Sequence, residues 1–469
     1  MKSPTRVLLL LGLVEVAALA AFGWLTGAAL PLPRLLLPAA AFLCYGAAGI
    51  AATKRPLSIP LIWGIGILAR LALLPLAPEL SDDIYRYLWD GHVLGEGLNP
   101  YGHAPADDAY ASIRTPWHDR VNHPEVPTIY PPLAQLLFGL VGALGGTIPV
   151  AKLVWLCFDL GCGLLLYRIA GRTGRNPGAV LVWYLWSPLL IVETAWSAHF
   201  DAVGLFFLAG LIWVASGRRN RPGGTSRGHR PSRRRTRHVR AATLGSLLGL
   251  AALTKFAPAA VLPPLVRRHG ALLAVAFAAI CTALYLPFAG VGLGALTEGL
   301  RTYAEHWTAN QGAFTLIARL FPDPVQARTA AAVPVLAVVV YATWRRFRVE
   351  RALLWIIGAG LLLSPTFHPW YALWVLPMAT LRGNAPFLLL SGLAFLGYWG
   401  LAAYQLTGVW PEPAWTRVVM WLPVWILLLA DIVASRRGST GSGTLRMRRS
   451  SRVQAQRQVP RGEERHERQ

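Results

Sequence analysis

The chain has 469 residues, of which 54% are hydrophobic and only 14% charged. A soluble domain is normally about a quarter charged, which all but excludes a water-soluble multidomain enzyme, yet the net charge of +23 resembles that of a nucleic-acid binder. The position of the arginines settles the conflict: ten fall between Gly217 and Arg240 and ten more between Ser435 and Gln469, and with the three acids of that tail the two segments account for all but +6 of the charge. Both segments are rich in Gly, Ser, Arg and Pro without an apolar period. They read as disordered cytoplasmic flanks drawn to anionic lipid headgroups. No recognition fold accompanies them, so nucleic acid is not the expected partner.

Apolar segments of bilayer length recur near 6–28, 34–52, 57–77, 150–170, 178–197, 200–216, 270–288, 325–344, 386–404 and 416–433. Residues 241–266 read as a short hairpin broken at Lys255–Pro258, and 352–381 as two short spans broken at Ser364–Pro369. The sum is an all-α integral membrane protein, a polytopic helical bundle of about 12–14 transmembrane helices. Its expected parts are two N-terminal transmembrane helices (1–56), a catalytic transmembrane module with outer loop 78–149 (57–216), a basic loop (217–240), a C-terminal transmembrane module (241–434) and a basic tail (435–469). With the N-terminus cytoplasmic, every basic cluster falls on one side, from Lys54–Arg55 and Arg172–Arg175 to Arg267–Arg268, Arg345–Arg351 and Arg382. That satisfies the positive-inside rule and predicts both termini in the cytoplasm of a multi-pass cell-membrane protein. Cys44, Cys157, Cys162 and Cys281 lie in apolar stretches with no metal-ligand spacing and read as core thiols.

The loop from Pro78 to Pro149 holds nine acids (Glu79, Asp82, Asp83, Asp90, Glu96, Asp107, Asp108, Asp119, Glu125) against three bases (Arg86, Arg114, Arg120). It is too long for an idle connection. Ser81 or Asp82 can cap an amphipathic helix running to about Gly95. Ile84, Leu88, Trp89 and Val93 form its membrane face, with Asp83, Arg86 and Asp90 on the other side. Such a helix lies along the outer interface and holds carboxylates at the mouth of the bundle. Residues 131–146, apolar but short, read as a half-embedded helix. Polar groups recur at membrane depth: His199 and Asp201 in Trp196-Ser-Ala-His-Phe-Asp201, Lys255 at its break, and His368 in Phe367-His-Pro-Trp-Tyr371. A further outer loop carries Glu305, His306 and Asn310. Ionisable groups at such depth are candidates for function, and irregular backbone there must line a cavity or be buried in protein.

In order, Ser81-Asp-Asp-Ile-Tyr85, Trp89-Asp-Gly91, Asn99-Pro-Tyr101, Tyr130-Pro-Pro132, Phe158-Asp-Leu160, Trp186-Ser-Pro188, His199-Phe-Asp201, Thr254-Lys-Phe-Ala-Pro258 and His368-Pro-Trp-Tyr371 form a series that resembles the GT-C superfamily of polytopic glycosyltransferases. The series is similar to that of the catalytic subunit of the first GPI mannosyltransferase and of bacterial lipid-linked mannosyltransferases, over roughly residues 60 to 430. The first two spans look like an addition ahead of the usual first one. The eukaryotic relative separates its two aspartates by one residue, whereas Asp82 and Asp83 are adjacent. Either can therefore be the acting carboxylate.

The resemblance implies transfer of a hexosyl, most simply mannosyl, residue from a polyprenyl-phosphate donor to a lipid or glycan acceptor outside the cytoplasmic membrane. Asp82 or Asp83 would act as base in an inverting single displacement. Arg86, Asp90, His199, Asp201, Lys255, His306 and His368 would bind substrate or the departing phosphate. No cofactor or metal is required, because the donor lacks a diphosphate, though the paired aspartates leave room for a weakly bound divalent cation. A transporter or lipid-carrier flippase is the alternative. It predicts matched broken helices in inverted repeats, but the flanks of the two breaks differ, and the acidic loop is left unexplained.

Overall fold

Proline and a short polar residue before it set where many of these helices begin. In the computed structural model, which describes residues 4–25, 33–54, 57–217 and 233–455, the side chains of Asn176, Ser187, Asp323 and Asn384 each accept a hydrogen bond from the backbone N–H three residues on. Pro177, Pro188, Pro324 and Pro386 occupy the first or second helical position, where a missing N–H costs nothing. The resulting chain order is α1 (Pro4–Leu25), α2 (Pro33–Lys54), α3 (Ile59–Leu73), α4 (Asp83–Gly95), α5 (Pro132–Ala143), α6 (Ile148–Thr173), α7 (Pro177–Leu185), α8 (Pro188–Ile191), α9 (Asp201–Ser216) and α10 (Arg233–Ala252). There follow α11 (Leu262–His269), α12 (Ala271–Tyr285), α13 (Gly292–His306), α14 (Phe314–Leu320), α15 (Pro324–Trp344), α16 (Val349–Leu363), α17 (Leu376–Arg382), α18 (Ala385–Leu393), α19 (Leu401–Thr407) and α20 (Ala414–Ala455). No strand is present among the described residues.

The protein is thus an all-α polytopic membrane protein. Among the described residues six helices are long and apolar enough to cross a bilayer, and a seventh span is counted if α7 and the α8 region, bent by 51° at Ser187, act as one. The full set of about fourteen crossings is not met by unbroken helices. The remaining apolar segments are cut short: Ile59–Leu73, Pro132–Ala143, Asp201–Ser216 and Ala385–Tyr398 have 10–17 residues. The hairpin through Lys255 and the segment through His368 are interrupted where prolines 258, 365 and 369 forbid continuation.

Three expectations change. The basic loop was expected to be irregular up to Arg240, but α10 already begins at Arg233. Arginine is a good helix former, and the apolar run beyond it supplies the nucleus. Helix α20 likewise continues past Ser435 to Ala455, through Gly438, Gly441 and Gly443, whose low helix propensity does not account for it. The rest of both basic segments, 218–232 and 456–469, lies outside the described residues. Cys157 is exposed on the flank of α6, so it is not a core thiol.

The α4 helix does not rest its apolar face on lipid. Ile84, Leu88, Trp89 and Val93 are all buried in protein. They pack against α5 and the loop of 99–130. Gly91 permits this closeness, because a Cβ there would stand 2.3 Å from the Phe138 carbonyl oxygen of α5. Deeper in the bundle Arg70 of α3 pairs with Asp159 of α6 at 2.6 Å, with both side chains at most 2% exposed. Its guanidinium also donates to the Gly66 and Leu185 carbonyls. Paired charge of this kind is what an apolar interior tolerates.

Candidate active site

Helix α4 opens with a cap that leaves its carboxylates free. Ser81 Oγ accepts the Asp83 N–H at 3.2 Å, while Asp82, at the N-cap position, makes no side-chain cap bond. Instead the Asn122 amide bridges the pair, donating to Asp82 Oδ1 at 2.9 Å and to Asp83 Oδ1 at 2.7 Å. Asn122 is carried there by the loop, and His123 beside it has φ 44°, a left-handed conformation that side-chain-bearing residues seldom adopt. His123 in turn packs edge-on against Trp307, 4.6 Å between centroids. The loop is therefore clamped from two sides over the aspartates.

From below, Asp83 Oδ2 meets Tyr87 Oη at 3.4 Å and faces His199 Nε2 at 3.6 Å. His199 sits after a single π turn, Val192–Trp196, in a connection where Ala198 has φ 61°. Such turns and such strain concentrate at functional sites. The opposite ring nitrogen, Nδ1, donates to Glu193 Oε2 at 2.8 Å, and Glu193 Oε1 accepts from Tyr398 Oη at 2.6 Å. Trp370 stacks on His199 at 4.0 Å, and His368 stacks on Trp370 at 4.6 Å with nearly parallel rings.

The second charge pair adjoins the first. Lys255 Nζ donates to Asp201 Oδ1 at 2.7 Å, an oxygen that Trp374 Nε1 also reaches at 2.5 Å. Asp201 Oδ2 has no protein partner. The ammonium lies over the Phe200 and Tyr371 rings at 5.4 and 5.3 Å. Tyr371 Oη is 2.5 Å from Tyr303 Oη. The breaks after α10 and α16 thus deliver Lys255 and the His368–Tyr371 segment to the same end of the bundle as α4.

Electrostatics separate the two aspartates. Burial acts to raise Asp83, but the charge of His199 at 3.6 Å, with His368 and Lys255 beyond, outweighs it and holds the carboxyl well below its ordinary range. Asp82 moves the other way. Although its own surface is exposed, the protein packed around it and the adjacent Asp83 charge push it up, against the Asn122 hydrogen bond. One carboxylate is a fixed anion and its neighbour is a stronger base than a free aspartate.

Asp82, Asp83, His199, Asp201, Lys255 and His368 are therefore brought together, whereas three candidates are not. Arg86 and Asp90 pair with each other at 3.2 Å. Arg86 donates also to the Val126 and His123 carbonyls, and Thr128 and Gln135 donate to Asp90 Oδ2. The turn spacing that suggested an exposed polar face instead points both residues into the loop they hold. His306 is exposed at the end of α13, its Nδ1 bonded to the Thr302 carbonyl one turn back. Its neighbours Tyr303 and Trp307 reach the site in its place. Glu193, Asn122, Trp370, Trp374 and Tyr398 were not singled out as site residues. Glu193 had a signal, being the one charged side chain between Pro177 and Ala198. Trp370 stands inside the His368-Pro-Trp-Tyr371 motif, whereas the roles of Asn122, Trp374 and Tyr398 depend on partners far away in sequence. Among the described residues no group of three or more His, Cys, Asp or Glu side chains is arranged to hold a metal ion.

The decisive comparison is with protein families. Residues 12–271, more than half of the chain and including every acid and base of the cluster just described except His368, match the model of the alpha-(1->6)-mannopyranosyltransferase N-terminal domain. The chain belongs to this mannosyltransferase family. No curated protein and no solved structure matches it significantly. The family makes the chain a glycosyltransferase that uses a sugar donor and an acceptor, and it bears out the resemblance carried by the motif series. His368, Trp370, Trp374 and Tyr398 come from beyond the matched residues, so the C-terminal part of the bundle completes the site.

Proposed function

We propose that the protein transfers a mannosyl residue from a polyprenyl-phosphate donor to a glycan or lipid-linked glycan acceptor on the outer side of the membrane, with inversion. The observation that carries this reading is the Asp82–Asp83 pair, bridged by Asn122 and set beside the buried His199 and the half-buried Lys255. Asp82 takes the proton of the acceptor hydroxyl as its oxygen bonds to the anomeric carbon. The bond from that carbon to the donor phosphate breaks, and its electron pair leaves with the phosphate. Lys255, helped by His368, meets the charge that grows there, in a site poor in bulk water. A single carboxylate base suits single displacement, and phosphate needs no second acid to leave, unlike the alcohol in glycoside hydrolysis. A β-linked donor then gives an α-linked product, which agrees with the linkage in the family's description. A (1→6) bond would make the nucleophile a primary hydroxyl, the least hindered on a hexose. Support for the outer side is the charge asymmetry: Arg172, Arg175, Arg268 and Arg382 gather at the opposite end, two of them on Glu350. The basic loop and tail would hold anionic lipid there.

The test is incubation of the purified protein with radiolabelled polyprenyl-phosphate mannose and a mannoside acceptor. Formation of an α-linked product by wild type, and its loss in Asp82→Asn, is the expected result. Undiminished transfer by Asp82→Asn overturns the base assignment, and failure to use any lipid-phosphate sugar overturns the donor.

A further inference from the structure

His199 has carboxylates at both of its ring nitrogens. Glu193 Oε2 accepts from Nδ1 at 2.8 Å, and Asp83 Oδ2 stands 3.6 Å from Nε2. A neutral imidazole carries one N–H, so one carboxylate would then face a lone pair. Only the doubly protonated ring suits both. Glu193 cannot swing away to relieve this. Both residues are fully buried, Glu193 lies inside the π turn, and the His199 N–H is bonded to the Glu193 carbonyl at 2.8 Å. Tyr398 fixes its second oxygen at 2.6 Å. Nothing in the reaction as proposed uses Glu193 or Tyr398, yet Glu193 is wholly buried and Tyr398, itself partly buried, is bonded to it.

We infer that Glu193 and Tyr398 are positioning residues that hold His199 as a cation with its Nε2–H aimed at Asp83, and so keep Asp83 ionised beside the base; this rests on the mannosyl-transfer reading. The chain of dependence runs from Tyr398 through Glu193 and His199 to Asp83 and ends on Asp82, whose basicity the Asp83 charge raises. The Trp370 face at 4.0 Å adds cation–π attraction for the imidazolium. Around His199 the other ionisable groups are Lys255 and Asp201, which largely cancel as a pair at 2.7 Å, and His368 beyond Trp370. Burial drives the His199 imidazolium down, but the Glu193 hydrogen bond and the charges of Glu193 and Asp83 reverse this and hold it up, at about 9. The sign follows: the cation persists below that pH and is lost as pH rises through it. Tyr398 lies beyond the matched family residues, so the relay joins the two parts of the bundle.

The experiment uses full-length protein in detergent with 15N-labelled histidine, the His199 resonance being the one absent from His199→Gln. Wild-type His199 is expected to titrate near pH 9. In Glu193→Gln its midpoint falls by about one unit or more, which corresponds to a tenfold or greater loss of preference for the cation. Tyr398→Phe shifts it the same way by less, and Glu193→Asp recovers part of the Glu193→Gln loss. In the transfer assay the alkaline limb of kcat moves to lower pH by the same amounts, which a merely structural defect would not produce. A His199 midpoint unchanged in folded Glu193→Gln overturns the relay; if that variant does not fold, an unchanged midpoint in Tyr398→Phe does so. A shifted midpoint in a protein whose wild type transfers no mannose upholds the relay and overturns the mannosyl-transfer reading.

Discussion

Helix α4 carries two buried charge pairs within two turns, and their surroundings differ. Arg86 and Asp90 are 6% and 2% exposed, and all three guanidinium nitrogens and both carboxylate oxygens are bonded to groups of the chain itself. Asp83, 19% exposed, faces a His199 that is wholly buried yet has no hydrogen-bond partner for Nε2, and the nearby Asp201 leaves one oxygen unmatched. The first pair ties down the loop over the site. The second retains bonding capacity toward the space between α4, the π turn and the breaks at Lys255 and His368. Burial and charge alone do not mark a functional residue in a membrane bundle. What distinguishes the second pair is capacity that the fold does not consume.

That distinction can be broken by substitution. The largest effect is expected for Asp82→Asn, a loss of mannosyl transfer of about 10²–10⁴-fold with an unchanged melting temperature; a melting temperature that fell with the rate would move Asp82 into the structural class. Arg86→Met should do the reverse. Leaving Asp90 buried without its partner costs about 3–5 kcal/mol, read as a lower thermal midpoint in detergent, and pairing it with Asp90→Leu should restore much of that loss. Lys255→Gln should reduce kcat by about 10–100-fold through weaker stabilisation of the departing phosphate, measured in single-turnover assays. Asp83→Asn should leave a residual activity whose acid limb lies at lower pH than in wild type. Asp82 is raised partly by the Asp83 charge, so removing that charge lets Asp82 ionise earlier, and an unmoved limb would show that the two carboxyls do not sense each other. His306→Ala, at an exposed residue bonded only within its own helix, should change transfer by less than twofold, the scale of an ordinary surface substitution.

Much of the bundle was legible in the sequence because a bilayer imposes a simple rule on composition: long apolar runs, charge at the ends, proline at the breaks. The breaks at Lys255–Pro258 and Ser364–Pro369 fall where the chain order predicted, as does the helix from Asp83 to Gly95. Spacing was a poorer guide to the direction of side chains. It put Ile84, Leu88, Trp89 and Val93 toward lipid, but α5 and the loop over the site cover them. It also placed Arg86 and Asp90 beside Asp83 on one polar side, whereas only Asp83 faces the cluster with His199.

By itself the sequence determined an α-helical membrane protein with twenty arginines gathered in two segments and a separate acidic loop, and through its ordered motifs the mannosyltransferase family. These follow from solvent: apolar length, charge and turn chemistry are local properties of the chain. Only the tertiary structure decided which polar groups meet. Asn122 lies about forty residues beyond the aspartates it bridges, and Tyr398 is 205 residues from the Glu193 it holds. Such pairings depend on how helices pack around closely approaching backbones such as those at Gly91 and Phe138, and a periodic pattern of residues carries no record of that packing.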